Sequence, residues 1–437
     1  MSAQVALAAL LSDRDRFEAD VTDRSLLADC LLDFLAAVLT GVRGELGRSV
    51  IRSQGVDGVR CLAFSMSYLA EISEFSHGHN RSAGHVGSTT LPVALAFAAR
   101  RGGDDARTTR AVLAGYEAFS RVGSSMMPGL ARWGSVSTGF VGSLGAAATA
   151  AFLLDTDAAA VCSALGVAAC TTPLSPVEAR EAGGNALEAA VATSTGILAA
   201  ELAAGGFRGP SDLLDHLHRR IVGSLPAPAF AAEDTARLAI HDVYFKPYPC
   251  CRFTHGAIQG ILEILGSGVA SDQIERIDVR VPPRALSVCH NLPAFPTTVL
   301  ERQFSLRYLC ALAALIGDVA VGDVMHPLPD RDEAVVAFAG ARVSQAAEDR
   351  LVHLGNICPA SIVVQTVDGR QMERTVVRPW GCPEAPLTRQ DVLEKFRRAA
   401  GPVLARSRVD DWQALALELT WSDLAVQVGD VVSAIGR

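Results

Sequence analysis

SLLADCLLDFLAAVLT, residues 25–40, carries apolar side chains three and four positions apart, and Gly41 follows directly. This spacing places the apolar side chains on one face of an α-helix. Thr22 or Asp23 is a candidate cap at its start, and Gly41 stands where helices commonly end. The stretch therefore predicts a helix that packs against other helices.

Four further stretches of the first half have the same spacing, with small residues on several of the predicted faces. They are residues 108–122, 142–154, 157–170 and 185–204. Residues 142–154 have almost no polar position, which predicts a helix buried on all sides.

The pattern changes near residue 243. IDVRV, residues 277–281, alternates apolar and polar side chains as a half-buried strand does. SIVVQTVDGRQMERTVV, residues 361–377, has two such runs around Asp368-Gly369, which predicts a hairpin. A helix is predicted between these strands, at residues 300–317, and helical spacing returns from Thr388.

These patterns predict a mainly α protein in which a smaller α+β lid domain is inserted into a large all-helical domain. The predicted helical domain comprises residues 1–242 and 389–437, and the lid domain comprises residues 243–388. An inserted domain leaves a cleft at its junction, and clefts between domains often bind ligands.

Composition narrows the function classes. The net charge of −8 over 437 residues argues against a general affinity for nucleic acid or anionic membranes. The N-terminus has no basic residue before Arg14, unlike a signal peptide, and the apolar runs 142–155 and 186–207 look too short or too interrupted to span a bilayer. Ten cysteines without the spacing of a disulfide scaffold favour a reducing cytoplasm. No P-loop or dinucleotide-binding glycine motif occurs.

The first candidate site is EFSHGHNRSAGHVGS, residues 74–88, which is predicted to be a loop between helices. It contains His77, His79 and His85, three of the chain's ten histidines, with Glu74 beside them. Imidazole titrates near neutrality, so one or two of these histidines suit acid/base catalysis or anion binding. The alternatives are a zinc site, whose common ligand spacings are absent, and a polar loop with solvated histidines.

The second candidate is FKPYPCCRFTH, residues 245–255. Its Lys246 is one of two lysines in a chain that uses arginine 37 times, so a compact ammonium of adjustable pKa is expected to have a purpose here. Arg252 suits a substrate carboxylate, which arginine binds in bidentate fashion, and His255 begins the following helix. Cys251 would be a thiolate or a proton donor. The alternatives are that the cysteine pair is buried and structural, and that Lys246 is an ordinary surface lysine.

Two further stretches lie at predicted helix starts. Ser137 and Thr138, in RWGSVSTGFVGSLG (132–145), offer hydroxyls and backbone amides that would hold a carboxylate, unless the stretch is only a close-packed turn. Asn185 follows two glycines and is most simply a helix N-cap.

Nine segments in chain order resemble the MmgE/PrpD family, which includes 2-methylcitrate dehydratase, cis-aconitate decarboxylase and iminodisuccinate epimerase. They are LLDFLAAVLTG, EFSHGH, AVLAGYEAFSRVG, TGFVGSLGAAATAAFLL, GILAAELAAGGFRGP, KPYPCCRFTHGAI, FSLRYLCALAALIGD, VDGR and PWGCPEAPLTRQDVLEKF. The resemblance implies a helical domain with an α+β lid, usually in a homodimer. It also implies cofactor-free elimination, decarboxylation or epimerisation of small di- and tricarboxylates.

Compared position by position, the family pattern is matched more fully in the segment 245–255 than in the candidate stretches of the predicted helical domain. Lys246, the cysteine pair, Arg252 and His255 match the family pattern KxYPxCxxTH, and Cys251 stands where the decarboxylases often have histidine. In the loop, Glu74 matches the acidic start and His85 matches the later histidine, whereas Ser76, His77 and Gly78 replace two carboxylates and a threonine. Val136 falls near a family catalytic histidine, and Asn185 stands at a family lysine.

The sequence thus predicts a cytoplasmic, cofactor-independent lyase or isomerase that abstracts a proton next to a carbonyl or carboxylate. The specialised substrate is expected to be small and anionic, and no metal is expected. The predicted catalytic residues are His79, His85, Lys246 and Cys251, and the predicted substrate-binding residues are Glu74, His77, Ser137, Thr138, Asn185, Arg252 and His255. The alternatives are a standard 2-methylcitrate dehydratase or cis-aconitate decarboxylase, and a non-catalytic relative that binds a carboxylate.

Overall fold

The structure, a computed structural model, describes residues 2–171, 183–224, 237–290, 295–354 and 358–435. In these ranges the helices are α1 Ala3–Ser12, α2 Val21–Val42, α3 Glu45–Gln54, α4 Gly58–Ile72, α5 Gly87–Arg101, α6 Asp105–Met126, α7 Gly129–Arg132, α8 Ser137–Leu153, α9 Ala158–Thr171, α10 Gly184–Ala204, α11 Leu213–Val222, α12 His255–Gly266, α13 Pro283–His290, α14 Val299–Phe304, α15 Leu306–Ile316, α16 Val321–Met325, α17 Pro329–Arg342, α18 Arg389–Ala400, α19 Arg406–Glu418 and α20 Trp421–Ile435. The strands are β1 Gly78–His79, β2 Val243–Tyr244, β3 Ile274–Val281, β4 Val343–Ala347, β5 Ala360–Thr366 and β6 Gln371–Val376. The protein is mainly α, as the sequence predicts.

The chain divides into two compact units. The helical unit is Met1–Tyr244 with Thr388–Arg437, and the inserted unit is Phe245–Leu387. The sequence predicts the boundaries after residues 242 and 388.

Helix α2 begins earlier than predicted, because Asp20 is its cap in place of Thr22 or Asp23. The Asp20 side chain accepts from the backbone N–H of Thr22 and of Asp23, and the Asp23 side chain accepts from the backbone N–H of Asp20. This reciprocal arrangement is a capping box. Gly41 lies inside α2 and does not end it. A Cβ there would overlap the backbone carbonyl of Leu69, so glycine lets α2 and α4 approach closely.

Helix α8 is the buried helix that the sequence predicts. Every residue from Ser137 to Phe152 is buried, and α8 packs against α6 and α10. Its start is therefore held in place by helices on both sides, which makes it a rigid platform for side chains nearby.

The helical unit is not entirely helical. Strands β1 and β2 pair antiparallel, with Gly78 opposite Tyr244 and His79 opposite Val243. This two-residue ribbon joins the histidine loop to the last residues before the inserted unit, a long-range pairing without a local sequence signal.

The inserted unit contains a four-stranded sheet in the order β4-β3-β5-β6. Strands β3 and β4 are parallel, whereas β5 is antiparallel to both β3 and β6. The predicted hairpin is present, and Gly369 has the positive φ of 82° that its turn requires. The helix predicted at 300–317 is instead two helices, α14 and α15, because Ser305 is extended and caps α15.

Among the described residues of the helical unit, two helices are long and apolar enough to cross a membrane by length and composition alone. In α2, 83% of the most apolar window is buried inside the protein, and in α10 the share is 61%. Core helices of soluble proteins pass the same test, so these two are weak evidence for membrane insertion. The run at 186–207, which the sequence predicts to be too interrupted to span a bilayer, overlaps α10, which passes the length and composition test although it contains one buried and one half-buried glutamate.

Candidate active site

The histidine loop, residues 74–86, is held in a defined conformation. Glu74 and Ala83 have φ of 50° and 49°, a left-handed conformation that costs non-glycine residues roughly 1–2 kcal/mol each. The backbone N–H of His79 donates to the carbonyl of Gly84 at 2.8 Å, and β1 pairs with β2. Backbone strain that a fold maintains is typical of functional sites.

His77 fastens this loop to the helical core. Its Nδ1 lies 2.9 Å from Oδ2 of Asp33 and its Nε2 lies 2.6 Å from the Tyr116 hydroxyl, and the side chain is fully buried. Lys395 donates to the other Asp33 oxygen at 2.5 Å and to the carbonyl of Phe75 at 2.6 Å. With both ring nitrogens engaged, His77 is placed as an anchor, which argues against its predicted substrate-binding role.

His79 is fully buried on β1. Its Nδ1 lies 2.8 Å from the hydroxyl of Ser82, and its Nε2 lies 4.0 Å from Asp242 Oδ2 without a hydrogen bond among the described residues. Burial lowers the pKa of His79 to about 4, against the opposing effect of Asp242. His79 is therefore neutral at neutral pH, and its enclosed ring makes it a weaker candidate for proton transfer than His85.

His85 forms a dyad with Glu71, a residue that the sequence reading missed. Its Nδ1 is hydrogen-bonded to Oε1 of Glu71, whose side chain is only 2% exposed, whereas the His85 ring is 15% exposed. A carboxylate that accepts from Nδ1–H leaves the lone pair on Nε2. Nε2 has no hydrogen bond to any described residue. The dyad therefore presents an oriented base at a partly open position.

Ser137 and Thr138, at the start of α8, hold the loop that carries His85. The Ser137 hydroxyl donates to the carbonyl of Ala83 at 2.9 Å, and the Thr138 hydroxyl accepts from the backbone N–H of His85 at 3.2 Å. Both hydroxyls thus contact protein backbone where a substrate carboxylate was predicted. These contacts connect the start of α8 to the backbone at Ala83 and His85, and the predicted substrate-binding roles of Ser137 and Thr138 stay predictions.

Asn185 lies in the first turn of α10, and it is not the N-cap. The cap is Gly183, with φ of 75°, and the Asn185 side chain donates instead to Oε1 of Glu74 at 2.7 Å. Asn185 Oδ1 is buried and has no hydrogen-bond partner among the described residues. Two predicted binding residues thus contact each other directly.

Glu188 follows Asn185 by three residues and was not predicted as a site residue. Burial, and secondly Glu71, raise the pKa of Glu188 to about 8, while the backbone N–H of Gly139 acts to lower it. At neutral pH most Glu188 side chains are therefore protonated. The helical unit thus brings together His85, Glu71, Glu74, Asn185 and Glu188.

In the inserted unit, Arg252 binds the protein backbone. Its guanidinium donates to the carbonyl of Trp380 at 2.8 Å, to that of Pro379 at 3.2 Å and to that of Phe245 at 3.4 Å. His255 Nδ1 is also 3.2 Å from Nη1. The side chain is 4% exposed. This geometry is that of a brace for the segment 245–255 and argues against the predicted bidentate carboxylate fork.

The other predicted site residues of the segment 245–255 are also buried. Lys246 has no exposed surface, and Cys251 is 7% exposed and caps the short 3-10 helix Arg252–Thr254. His255 begins α12, with its ring 5.2 Å from that of Tyr248 and its Nε2 3.3 Å from the carbonyl of Cys250. Catalytic roles for Lys246 and Cys251, and a substrate-binding role for His255, stay predictions.

Among the described residues, no three His, Cys, Asp or Glu side chains are grouped as metal ligands. The histidine cluster explains why: His77 binds Asp33 and Tyr116, whereas His85 binds Glu71. The alternative of zinc in the loop therefore has no support from its geometry.

Two family models match the chain. Residues 15–219 match the MmgE/PrpD N-terminal domain, and residues 248–420 match the MmgE/PrpD C-terminal domain. Together they span most of the chain. The chain belongs to the MmgE/PrpD family.

The chain is similar to curated proteins with named activities. A cis-aconitate decarboxylase of Aspergillus terreus is 22% identical over 82% of this chain and 78% of its own length. The cis-aconitate decarboxylase-like protein oryM of Aspergillus oryzae is 26% identical over 71% of this chain and 68% of its own length. As an MmgE/PrpD protein with such relatives, the chain is an enzyme of the lyase or dehydratase type.

The structure adds two residues, Glu71 and Glu188, that the sequence did not predict as site residues. Glu71 lies in the last turn of α4, three residues before the loop begins at Glu74, so its proximity in sequence was a signal that the loop-centred interpretation did not use. Glu188 had no such signal, because a glutamate in an apolar helix is usually read as an interruption on the exposed face. Its burial is visible only in the packed unit.

Proposed function

We propose that the protein is a cofactor-independent lyase or isomerase that removes a proton next to a carboxylate or carbonyl of a small anionic substrate. The observation that carries the proposal is the Glu71–His85 dyad. An imidazole that a buried carboxylate orients is suited to act as a general base. The motif at Lys246 supports a substrate with at least one carboxylate.

The cluster of His85, Glu71, Glu74, Asn185 and Glu188 in the helical unit favours a specialised substrate over a standard tricarboxylate. Glu71 and Glu74 are acidic, and an asparagine stands at the family's lysine position. Additional substrate carboxylates would meet these acidic groups without that ammonium. We therefore propose a substrate with fewer carboxylates than citrate, and a role in a specialised biosynthetic pathway.

Solvent exchange tests the reaction class before a product is known. Incubation in D₂O with 2-methylcitrate, citrate, cis-aconitate, iminodisuccinate and simpler hydroxy and keto acids is followed by mass spectrometry for deuterium incorporation. With an accepted compound, His85→Gln should lower exchange by about 10²–10⁴-fold, the usual contribution of a positioned base. The control is His216→Gln on α11, whose side chain is 54% exposed. Unchanged exchange in the His85 variant would refute the assignment.

The named relatives favour one second candidate, decarboxylation of cis-aconitate. Release of CO₂ from that compound without prior deuterium exchange would support it over proton abstraction. The homodimer implied by the family resemblance also stays a prediction, which the mass of the protein in solution would test.

A further inference from the structure

The carboxyl group of Glu188 lies against the first turn of α8. A Cβ at Gly139 would overlap Oε1, Cγ and Cδ of Glu188, so the carboxyl group rests on the α8 backbone where only glycine leaves space. Glu188 is 8% exposed, and its Oε1 has no hydrogen-bond partner among the described residues. A buried polar atom without a partner destabilises the fold, and an apolar residue here would avoid that cost.

The charges around Glu188 favour its protonated form. Glu71 on α4 is an acidic neighbour, and α8 and α9 have no charged residues. Arg100 and Arg101 lie at the far end of α5, where Arg101 binds Glu201 at 2.9 Å. Arg60 on α4 also pairs with Glu201, at 3.5 Å. The backbone N–H of Gly139 is thus the main group acting to keep Glu188 charged.

Glu188 and His85 are joined through two short connections. Thr138, adjacent to Gly139, accepts a hydrogen bond from the backbone of His85. Glu71 binds the His85 ring and is also the charge that acts on Glu188. The first turn of α8 therefore contacts both the loop that carries His85 and the carboxyl group of Glu188.

We propose that Glu188 is a second catalytic group, the general acid that delivers a proton to the leaving group. This inference rests on the proposed function. His85 Nε2 takes the α-proton, and the C–H electron pair becomes the π bond of an enolate. The enolate then forms the C=C bond as the C–O bond to the leaving group breaks. Glu188 gives its proton to that oxygen, which leaves as water. His85 loses its proton to solvent and Glu188 regains one, which restores both groups.

One experiment separates proton abstraction by His85 from protonation of the leaving group by Glu188. With an accepted substrate in D₂O, Glu188→Gln should retain exchange at the α-carbon, because His85 is intact. Product formation should fall by about 10²-fold or more, since the amide cannot transfer a proton to the leaving group. His85→Gln should lose both. The matched control is Glu201→Gln on the same helix, which should change neither.

The wild-type pH profile supplies the second measurement. Product formation should decline above about pH 8, where Glu188 ionises, while α-exchange continues. If the Gln variant does not fold, Glu188→Asp, which withdraws the acid by one methylene, should show the same separation of exchange from product.

Three outcomes overturn the proposal. If the Glu188→Gln variant forms product at the wild-type rate, Glu188 takes no part in the reaction. If that variant loses exchange and product formation equally, Glu188 belongs to the proton-abstraction step. In wild type, equal decline of exchange and product above pH 8 would also contradict it. In each case loss of exchange in His85→Gln would still support the proposed function.

Discussion

Lys395 Nζ lies 2.5 Å from Asp33 Oδ1, and the two residues are 362 positions apart in the chain. Both side chains are buried, at 5% and 0% exposure. Although burial opposes it, Lys395 and His77 lower the pKa of Asp33 below its ordinary value. This ion pair connects α18 to α2 and, through His77, to the histidine loop.

Removal of Lys395 is expected to destabilise the protein strongly. Lys395→Met leaves the Asp33 charge buried with a weaker set of partners, which typically costs 3–5 kcal/mol. Urea unfolding at pH 7 measures the free energy. The control is Arg389→Gln, since Arg389 pairs with Asp29 between the same two helices but is 41% exposed, and such pairs contribute about 1 kcal/mol or less. Equal losses in both variants would contradict the assignment.

His79 is expected to make stability depend on pH below neutrality. Its folded pKa of about 4 is below the ordinary 6.5, so the unfolded chain binds more protons in that window. The free energy of unfolding should therefore fall as pH drops from 6.5 through 4, by up to about 3 kcal/mol. His79→Gln should flatten that part of the profile, measured as the wild-type minus variant difference. A constant difference across this range would refute it.

Asn185→Lys is expected to move specificity towards substrates with more carboxylates. The ammonium would add one charge-assisted contact, worth about 1.5 kcal/mol or roughly tenfold in KM. Steady-state kinetics on the carboxylate panel measures the change, with Asn185→Met as the control for side-chain volume. Equal effects of Lys and Met would show that the charge at this position does not select the substrate.

Gly139→Ala is expected to displace the Glu188 carboxyl group. The added methyl overlaps Oε1, so product formation should fall and the free energy of unfolding should fall by about 1–3 kcal/mol. Gly266→Ala is the control, because a Cβ there meets no atom within 4 Å; its unfolding energy should stay within about 0.5 kcal/mol. A Gly139 variant as active and stable as the control would place Glu188 away from the reacting atoms.

Local patterns were sufficient for most of the fold. Spacing in residues 25–40 and 142–154 predicted α2 and α8, and Asp368-Gly369 predicted the β5–β6 hairpin, because side-chain period and turn chemistry are local properties. The errors were also local. The cap at Asp20 was missed in favour of Thr22 or Asp23, and the break at Ser305 was missed because apolar spacing continues on both sides of it.

The candidate site could be predicted from the sequence only in part. The sequence alone marked the loop with His77, His79 and His85 and the segment around Lys246, because unusual residue types in close succession are visible without a fold. The tertiary structure decided that His77 is held by Asp33, that His85 pairs with Glu71, and that Glu188 faces the start of α8. These relationships depend on burial and on contacts between distant segments. Desolvation and charge pairing act through space, so they leave no periodic trace in the order of residues.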